Sequence, residues 1–316
     1  MDTTDTVSVV IPAYNCARYL PETIESALSQ TLSPLEVIVI DDGSTDDTSA
    51  VLTRYERRIQ YVRQRNMGIS AARNAGIRIA RGSLIAFLDA DDIWYPSMLQ
   101  RQCEALRRTG AGVAHTDFYN WNATTGEKSP PSRDNSLFDG YCYRKFFWNE
   151  TGDPASAFMV RRSCFDMVGL FDEAIPGGCC EDLEMWTRLA RRFPFTYIDA
   201  PLVLRRQHES NITRHSERIA EGYFWAKQRA LEADPELRKE LGEKVVRARL
   251  AQSAFIAGYG YFERGDGRIA RRYFLQSLRY GRVRARTLAL LGSTYLPDKA
   301  RERLRAIMRG HRTRSA

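Results

Sequence analysis

An α/β fold with a mainly parallel sheet, followed by a helical C-terminal region, is what this 316-residue sequence predicts. Three observations carry that prediction. Over the first hundred residues, short apolar runs alternate with segments whose apolar residues recur at helical spacing, the pattern of βαβ units. Polar clusters rich in aspartate follow several of those runs directly. After Ser216 the strand pattern ends, and apolar residues fall at i, i+3 and i+4 among many arginines.

Val7 to Ile11 reads as the first strand, and Leu20, Ile24, Ala27 and Leu28 then share one face of a helix. Leu35 to Ile40 is a second buried strand. It runs into the turn Asp41-Asp-Gly-Ser44, with Thr45 or Asp46 placed to cap the next helix. A third strand near Ile59 to Val62, a helix from Ile69 to Ala80 and a fourth strand from Leu84 to Leu88 complete the alternation. In open α/β sheets ligands bind beyond the carboxyl ends of the strands, so the clusters after strands one, two and four should converge. From Gly112 to His208 the alternation loosens. A Pro/Ser-rich stretch lies around Ser129 to Ser136, and Pro176-Gly-Gly178 leads to a helix beginning near Glu181. Ala254 to Arg279 resembles one helix-turn-helix repeat.

The apolar fraction of 43% and charged fraction of 27% exclude both a disordered chain and a membrane-spanning class. The polar start and the lack of about 18 consecutive apolar residues predict neither a signal peptide nor a transmembrane helix, hence a cytoplasmic protein. Six cysteines without a Cys-x-x-Cys pair read as reduced structural thiols, the adjacent Cys179 and Cys180 included. Charge is unevenly placed. From Tyr261 onward fifteen Lys and Arg face four Asp and Glu, a net of +11 against +8 for the whole chain, which leaves −3 before it.

Asp89-Ala-Asp91 sets two like charges side by side at a strand end, which is unfavourable unless a cation neutralises them. Hard carboxylate oxygens suit Mg²⁺ or Mn²⁺, ions that also accept phosphate oxygens from a substrate. Such an ion offsets charge on a departing nucleoside diphosphate.

Four motifs occur in order: Val7-Ser-Val-Val-Ile-Pro-Ala-Tyr-Asn15, Ile40-Asp-Asp-Gly-Ser-Thr-Asp46, Asn66-Met-Gly-Ile-Ser-Ala-Ala-Arg-Asn-Ala-Gly76 and Phe87-Leu-Asp-Ala-Asp-Asp92. Together they resemble the inverting glycosyltransferases of family 2, over residues 7 to 210. The resemblance implies a GT-A fold, a Rossmann-type mixed but mainly parallel sheet flanked by helices. It implies a domain over 5–215, with a donor half at 5–117 and an acceptor half at 118–215, ahead of a helical, Arg-rich region at 216–316. It also implies transfer of a hexosyl or N-acetylhexosaminyl group from a nucleotide sugar, UDP preferred, to a saccharide or lipid-linked acceptor in cell-surface polysaccharide or glycolipid synthesis.

Residue by residue, the resemblance assigns Pro12, Tyr14, Asp41, Asp42, Arg73, Asp89 and Asp91 to the donor. Tyr14 packs on the base, Asp41 bonds the base or ribose, and Arg73 lies near the diphosphate. Asp91 binds the metal directly, Asp89 sits by the ribose or a metal-bound water, and His208 contacts the metal or diphosphate. Glu181 and Asp182 match a Glu-Asp element at a helix start. There Asp182 is the general base that deprotonates the acceptor hydroxyl, and Glu181 supports it. Read without the resemblance, Tyr14 could be core, Asp41 a turn former, Arg73 a surface charge and Glu181-Asp182 a pair favoured by the helix dipole. Trp94 and Trp186 read as core.

A nucleotidyltransferase or a dinucleotide-dependent dehydrogenase would need a Gly-rich phosphate loop after the first strand, where Pro12-Ala-Tyr-Asn15 stands. A non-catalytic scaffold of the same fold is the rival from another class. The basic segment 281–316 attracts polyanions. Leu304, Ile307 and Met308 on one arginine-flanked face favour an anionic membrane surface over nucleic acid, against the plainer reading of a helix packed on the domain.

Overall fold

The computed structural model describes residues 5–131, 134–148, 153–175, 179–209, 211, 216–281 and 284–312. The chain divides into two compact units, one of Met1–Ala174 with Glu181–Asn211 and one of Ile175–Cys180 with Ile212–Ala316.

The first unit alternates as predicted: β1 (Val7–Ala13), α1 (Leu20–Leu28), β2 (Glu36–Asp41), α2 (Thr48–Thr53), β3 (Gln60–Arg63), α3 (Ile69–Ile79) and β4 (Leu84–Phe87). There follow β5 (Ile93–Trp94), α4 (Met98–Thr109), β6 (Val113–Trp121), β7 (Lys128–Ser129), α5 (Tyr143–Trp148) and β8 (Phe158–Arg161). The unit ends with α6 (Arg162–Val168), α7 (Glu181–Arg192) and β9 (Phe195–Arg206). Their sheet has the order β3-β2-β1-β4-β8-β6-β9-β5, with β7 on β6. The strands from β3 to β4 are parallel. Strand β8 runs antiparallel between β4 and β6, β5 is antiparallel on β9, and β6 and β9 are parallel. The fold class is the one expected, a mixed sheet with helices.

Strand β1 is buried at every position, as a parallel strand covered on both faces must be. Helix α3 crosses it closely because residue 76 is glycine; a Cβ there would collide with Val10. Leu20, Ile24 and Ala27 are fully buried on α1, while Leu28 is half-buried at its end. The first residue outside α2 is Asp47, whose own side chain makes no cap hydrogen bond. The Asp46 carboxylate instead accepts from Thr48 N at 3.0 Å, inside the first turn. Trp94 and Trp186 are core residues: the Trp94 indole donates to Ser156 O at 2.7 Å, and Trp186 stacks on Phe158 at 4.3 Å. Strand order reverses about β1, with β2 on one side and β4 on the other, and the ligand crevice of such sheets opens at that switch.

The second unit is helical: α8 (Ser216–Ala233), α9 (Pro235–Leu241), α10 (Glu243–Arg264), α11 (Gly267–Tyr280), α12 (Ala285–Ser293) and α13 (Asp298–Arg312). The helix-turn-helix signal at 254–279 corresponds to α10 and α11. Gly265 turns the chain between them at φ +96°, and Asp266 caps α11 by accepting from Ile269 N at 3.0 Å. Phe262, Ala270, Phe274 and Leu290 form its core. Leu304 packs against that core, and Arg305 donates to Phe262 O at 3.3 Å. This residue of the face expected to meet a membrane is therefore spent on packing, while the side chains of Ile307 and Met308 lie outside the described residues. Residues 175–180, which the sequence puts with the first domain, group with this unit. Gly222 lets α8 approach them, since a Cβ there would stand 2.5 Å from Cys179 O. None of the six cysteines forms a disulfide among the described residues. Pro176-Gly-Gly178 lies outside the described residues.

Candidate functional site

The turn after β2 is built by side chains that local sequence already places close together. Asn15, at φ 50°, turns its side-chain oxygen to Thr45 N at 2.8 Å, and Asn15 N donates to Ser44 Oγ at 3.0 Å. Asp41 is fully buried; its carboxylate accepts from Ser44 N at 2.8 Å and from the Tyr61 hydroxyl at 3.3 Å. It acts here as a turn former that also ties β2 to β3. Asp42 gathers Gln64 Nε2, Met67 N and Gly68 N at 2.7 to 2.9 Å, which fixes the loop entering α3. Pro12 is buried near the end of β1, and Tyr14, two residues on, is 50% exposed rather than core.

Arg73 departs most from expectation. It is 1% exposed, and its guanidinium bridges Asp89, at 2.7 Å, and Glu181. Phe171 covers it, with the ring centroid 5.4 Å from Cζ. Two Arg73 nitrogens bind carboxylates, so the residue holds the β4 loop to the start of α7 and is no surface charge, while its buried Nε has no hydrogen-bond partner. The neighbouring Asn74 clasps Phe171 through both its backbone groups and also reaches Glu173. Burial and then the adjacent Glu181 raise the Asp182 carboxyl to about 7, with Arg73 opposing. Asp182 is half-buried, in the first turn of α7 beside the bridge.

A second group forms at the other end of the same loop. His208 Nε2 lies 2.8 Å from Asp91 Oδ2, and both side chains are part-exposed, at 15% and 27%. Asn211 Nδ2 reaches Asp91 Oδ2 at 3.4 Å. The structure thus joins Asp89 with Arg73 and Glu181, and Asp91 with His208, while Asp41 and Asp42 serve the neighbouring turn.

Several positioning residues escaped the sequence reading. Arg206 donates from Nε to Asp91 O at 2.9 Å, and its guanidinium lies over Trp121 and Tyr19 at 4.5 and 5.1 Å. Its backbone N donates to Asp92 Oδ1 at 3.1 Å. Tyr19 stacks on His208 at 4.7 Å. Ser156 accepts from Asp89 N at 3.0 Å and donates to Asp92 at 2.6 Å; burial and the two nearby aspartates push the Asp92 carboxyl upward. Nothing near Ser156 or Tyr19 in the sequence marks them.

One imidazole nitrogen and one carboxylate oxygen, close and part-exposed, fit a hard divalent ion that takes its remaining ligands from phosphate and water. Among the described residues no group of three or more His, Cys, Asp and Glu could hold a metal alone. Asp89 gives Oδ1 to Arg73.

The model for "Glycosyl transferase family 2" matches residues 8–169. The chondroitin synthase of Escherichia coli is 30% identical over 211 residues, 65% of this chain and 29% of that protein. The matched stretch spans about a third of the length of several of these curated relatives and 69% of two others, glycosyltransferases of Rickettsia prowazekii and Rickettsia typhi. Among solved structures, Staphylococcus aureus TarS 1–349 in complex with UDP-GlcNAc aligns with a TM-score of 0.62 at 18% identity, over 98% of this chain and 92% of that one. A mannosyltransferase from Pyrobaculum calidifontis in complex with GDP-Man and Mn²⁺ aligns at 0.59 and 18%, over 96% and 85%. At such identity the likeness is one of fold.

Proposed function

The chain belongs to glycosyl transferase family 2, and from that premise we propose that it moves a sugar from a nucleotide-sugar donor to an acceptor hydroxyl. The observation that carries this reading is the pair of Asp91 and His208 at the sheet's switch point, open on one side and braced by Arg206 on the other. Mn²⁺ or Mg²⁺ bound there would offset charge on the leaving diphosphate. We take UDP as the nucleotide; the TarS complex with UDP-GlcNAc supports it, and the complex with GDP-Man is the rival.

Asp182 is the base of the proposed step. Its carboxyl near 7 is ionised in a useful fraction at neutral pH yet basic enough to take a proton from an alcohol as the oxygen attacks. The new C–O bond forms at the anomeric carbon while the bond to phosphate breaks, and the leaving diphosphate keeps the electron pair. One displacement inverts the configuration. Arg73 positions Glu181 beside this base and Asp89 beside the donor. The name of the E. coli relative supports an acceptor in polysaccharide synthesis, and the basic second unit supports work at the inner face of a membrane, in the cytoplasm.

The test is thermal stabilisation and nucleoside-diphosphate release with a panel of UDP- and GDP-sugars, with Mn²⁺ or with EDTA. One UDP-sugar should raise Tm in a metal-dependent way, and Asp91→Ala should lose that gain. Equal UDP affinity of variant and wild type at saturating Mn²⁺ would overturn the metal assignment, and stabilisation by GDP-sugars alone would overturn the nucleotide.

A further inference from the structure

The second unit contains a cavity of about 650 Å³ between α10, the end of α11 and the start of α12. Its rim is cationic. Lys244 and Arg284 line it, both exposed and both without a hydrogen bond or ion pair among the described residues. Arg286 also lines it, held over the Phe255 and Tyr259 rings at 5.5 Å, while Arg247 is spent on the carbonyls of Arg279 and Tyr280 at the end of α11. The single carboxylate in the lining, Glu243, is neutralised by Arg238 at 2.9 and 3.0 Å.

Two further features face the same space. Thr287 is 2% exposed, lines the cavity, and its hydroxyl has no hydrogen-bond partner among the described residues. It stands in the first turn of α12, whose N-terminus has no side-chain cap, so backbone N–H groups are left to bind whatever enters. The wall opposite is apolar, formed by Ala248, Ala251 and the Phe255 ring.

An uncapped helix start, the hydroxyl of a buried threonine that lines the cavity, and cations without partners among the described residues are complementary to a phosphate, and the apolar wall to a hydrocarbon attached to it. We infer that this cavity binds a phosphate group carrying an apolar chain, the chemistry of a lipid phosphate. It lies on residues distinct from Asp91, His208 and Asp182 and depends on no step of sugar transfer.

Calorimetry on the full chain would test it, with dihexanoyl-phosphatidic acid below its micelle concentration, inorganic phosphate and dihexanoyl-phosphatidylcholine as probes. The phosphatidic acid should bind about tenfold or more tightly than inorganic phosphate, since a few buried methylenes supply that much. Lys244→Glu with Arg284→Glu should weaken it by about tenfold or more. Thr287→Val, which keeps the side-chain shape, should weaken it several-fold with Tm unchanged. Unchanged affinity in the charge-reversed variant, or equal binding of phosphatidylcholine, would overturn the site. Inorganic phosphate binding as tightly as the lipid would overturn its apolar half. Donor turnover should stay at the wild-type level in both variants, so a failure here and a failure of the transferase reading are told apart.

Discussion

Arg73 and His208 both meet an aspartate of the loop after β4, yet they sit in opposite surroundings. Arg73 is enclosed, with Asp89 on one side, Glu181 on the other and Phe171 across its face. His208 meets Asp91, and both remain part-exposed. A buried charge must find its partners in the protein, because water cannot supply them; two Arg73 nitrogens are committed to Asp89 and Glu181, while its Nε is left without a hydrogen-bond partner. A part-exposed pair can exchange water or a shared proton for an ion. The enclosed group braces the loop after β4 against α7, and the part-exposed pair keeps atoms within reach of solvent.

The largest effect should come from breaking the enclosed side. Arg73→Met leaves Asp89 and Glu181 facing each other without a cation, and removing one partner of a buried ion pair costs about 3–5 kcal/mol. Urea unfolding should read that loss. A loss below about 1 kcal/mol, the scale of an exposed pair, would mean that water reaches the bridge and the contrast is false.

Asp182 sits beside the enclosed group, in the first turn of α7. Asp182→Asn should leave UDP affinity within a few-fold and lower transfer by about 10²-fold or more, with Glu181→Gln doing less. A reversed order would move the base to Glu181. The wild-type kcat/KM should fall about tenfold per pH unit below about 7, because Asp182 is raised to about 7 by burial and by Glu181 and must be ionised to act. The same shift has a stability sign. The folded state holds this proton more tightly than the unfolded one, so the group's contribution falls as pH rises from the ordinary aspartate range to about 7. The asparagine variant should lose that slope in urea titrations at pH 5 and 8.

The smallest effect should appear in the shell of the open pair. Arg206→Lys keeps the charge but loses the planar stack on Trp121 and Tyr19 and the Nε bond to Asp91 O. Mn²⁺ affinity measured with UDP present should drop about tenfold, the lower end for losing a residue that orients a metal ligand. No drop would show that Asp91 orients itself.

The sequence by itself determined the alternation of β1 to β4 with α1 to α3, the acidic clusters at the strand ends, the helical character after Ser216 and the family. Burial periodicity and turn chemistry act over a few residues, so they can be read from neighbours. Even the Asn15 and Asp42 contacts stay within the first βαβ units. What only the tertiary structure decided is which charges meet. Arg73 and Glu181 are 108 positions apart, and Asp91 and His208 are 117 apart. Asp91 and His208 become neighbours because β9 lies between β6 and β5 in the sheet, which brings the chain after Arg206 back to the loop following β4, while the packing of α3 and α7 brings Arg73 to Glu181. That strand order is a property of the whole core. No short stretch of residues encodes it, so nothing local in the sequence shows that Arg73 lies enclosed between two carboxylates rather than on the surface.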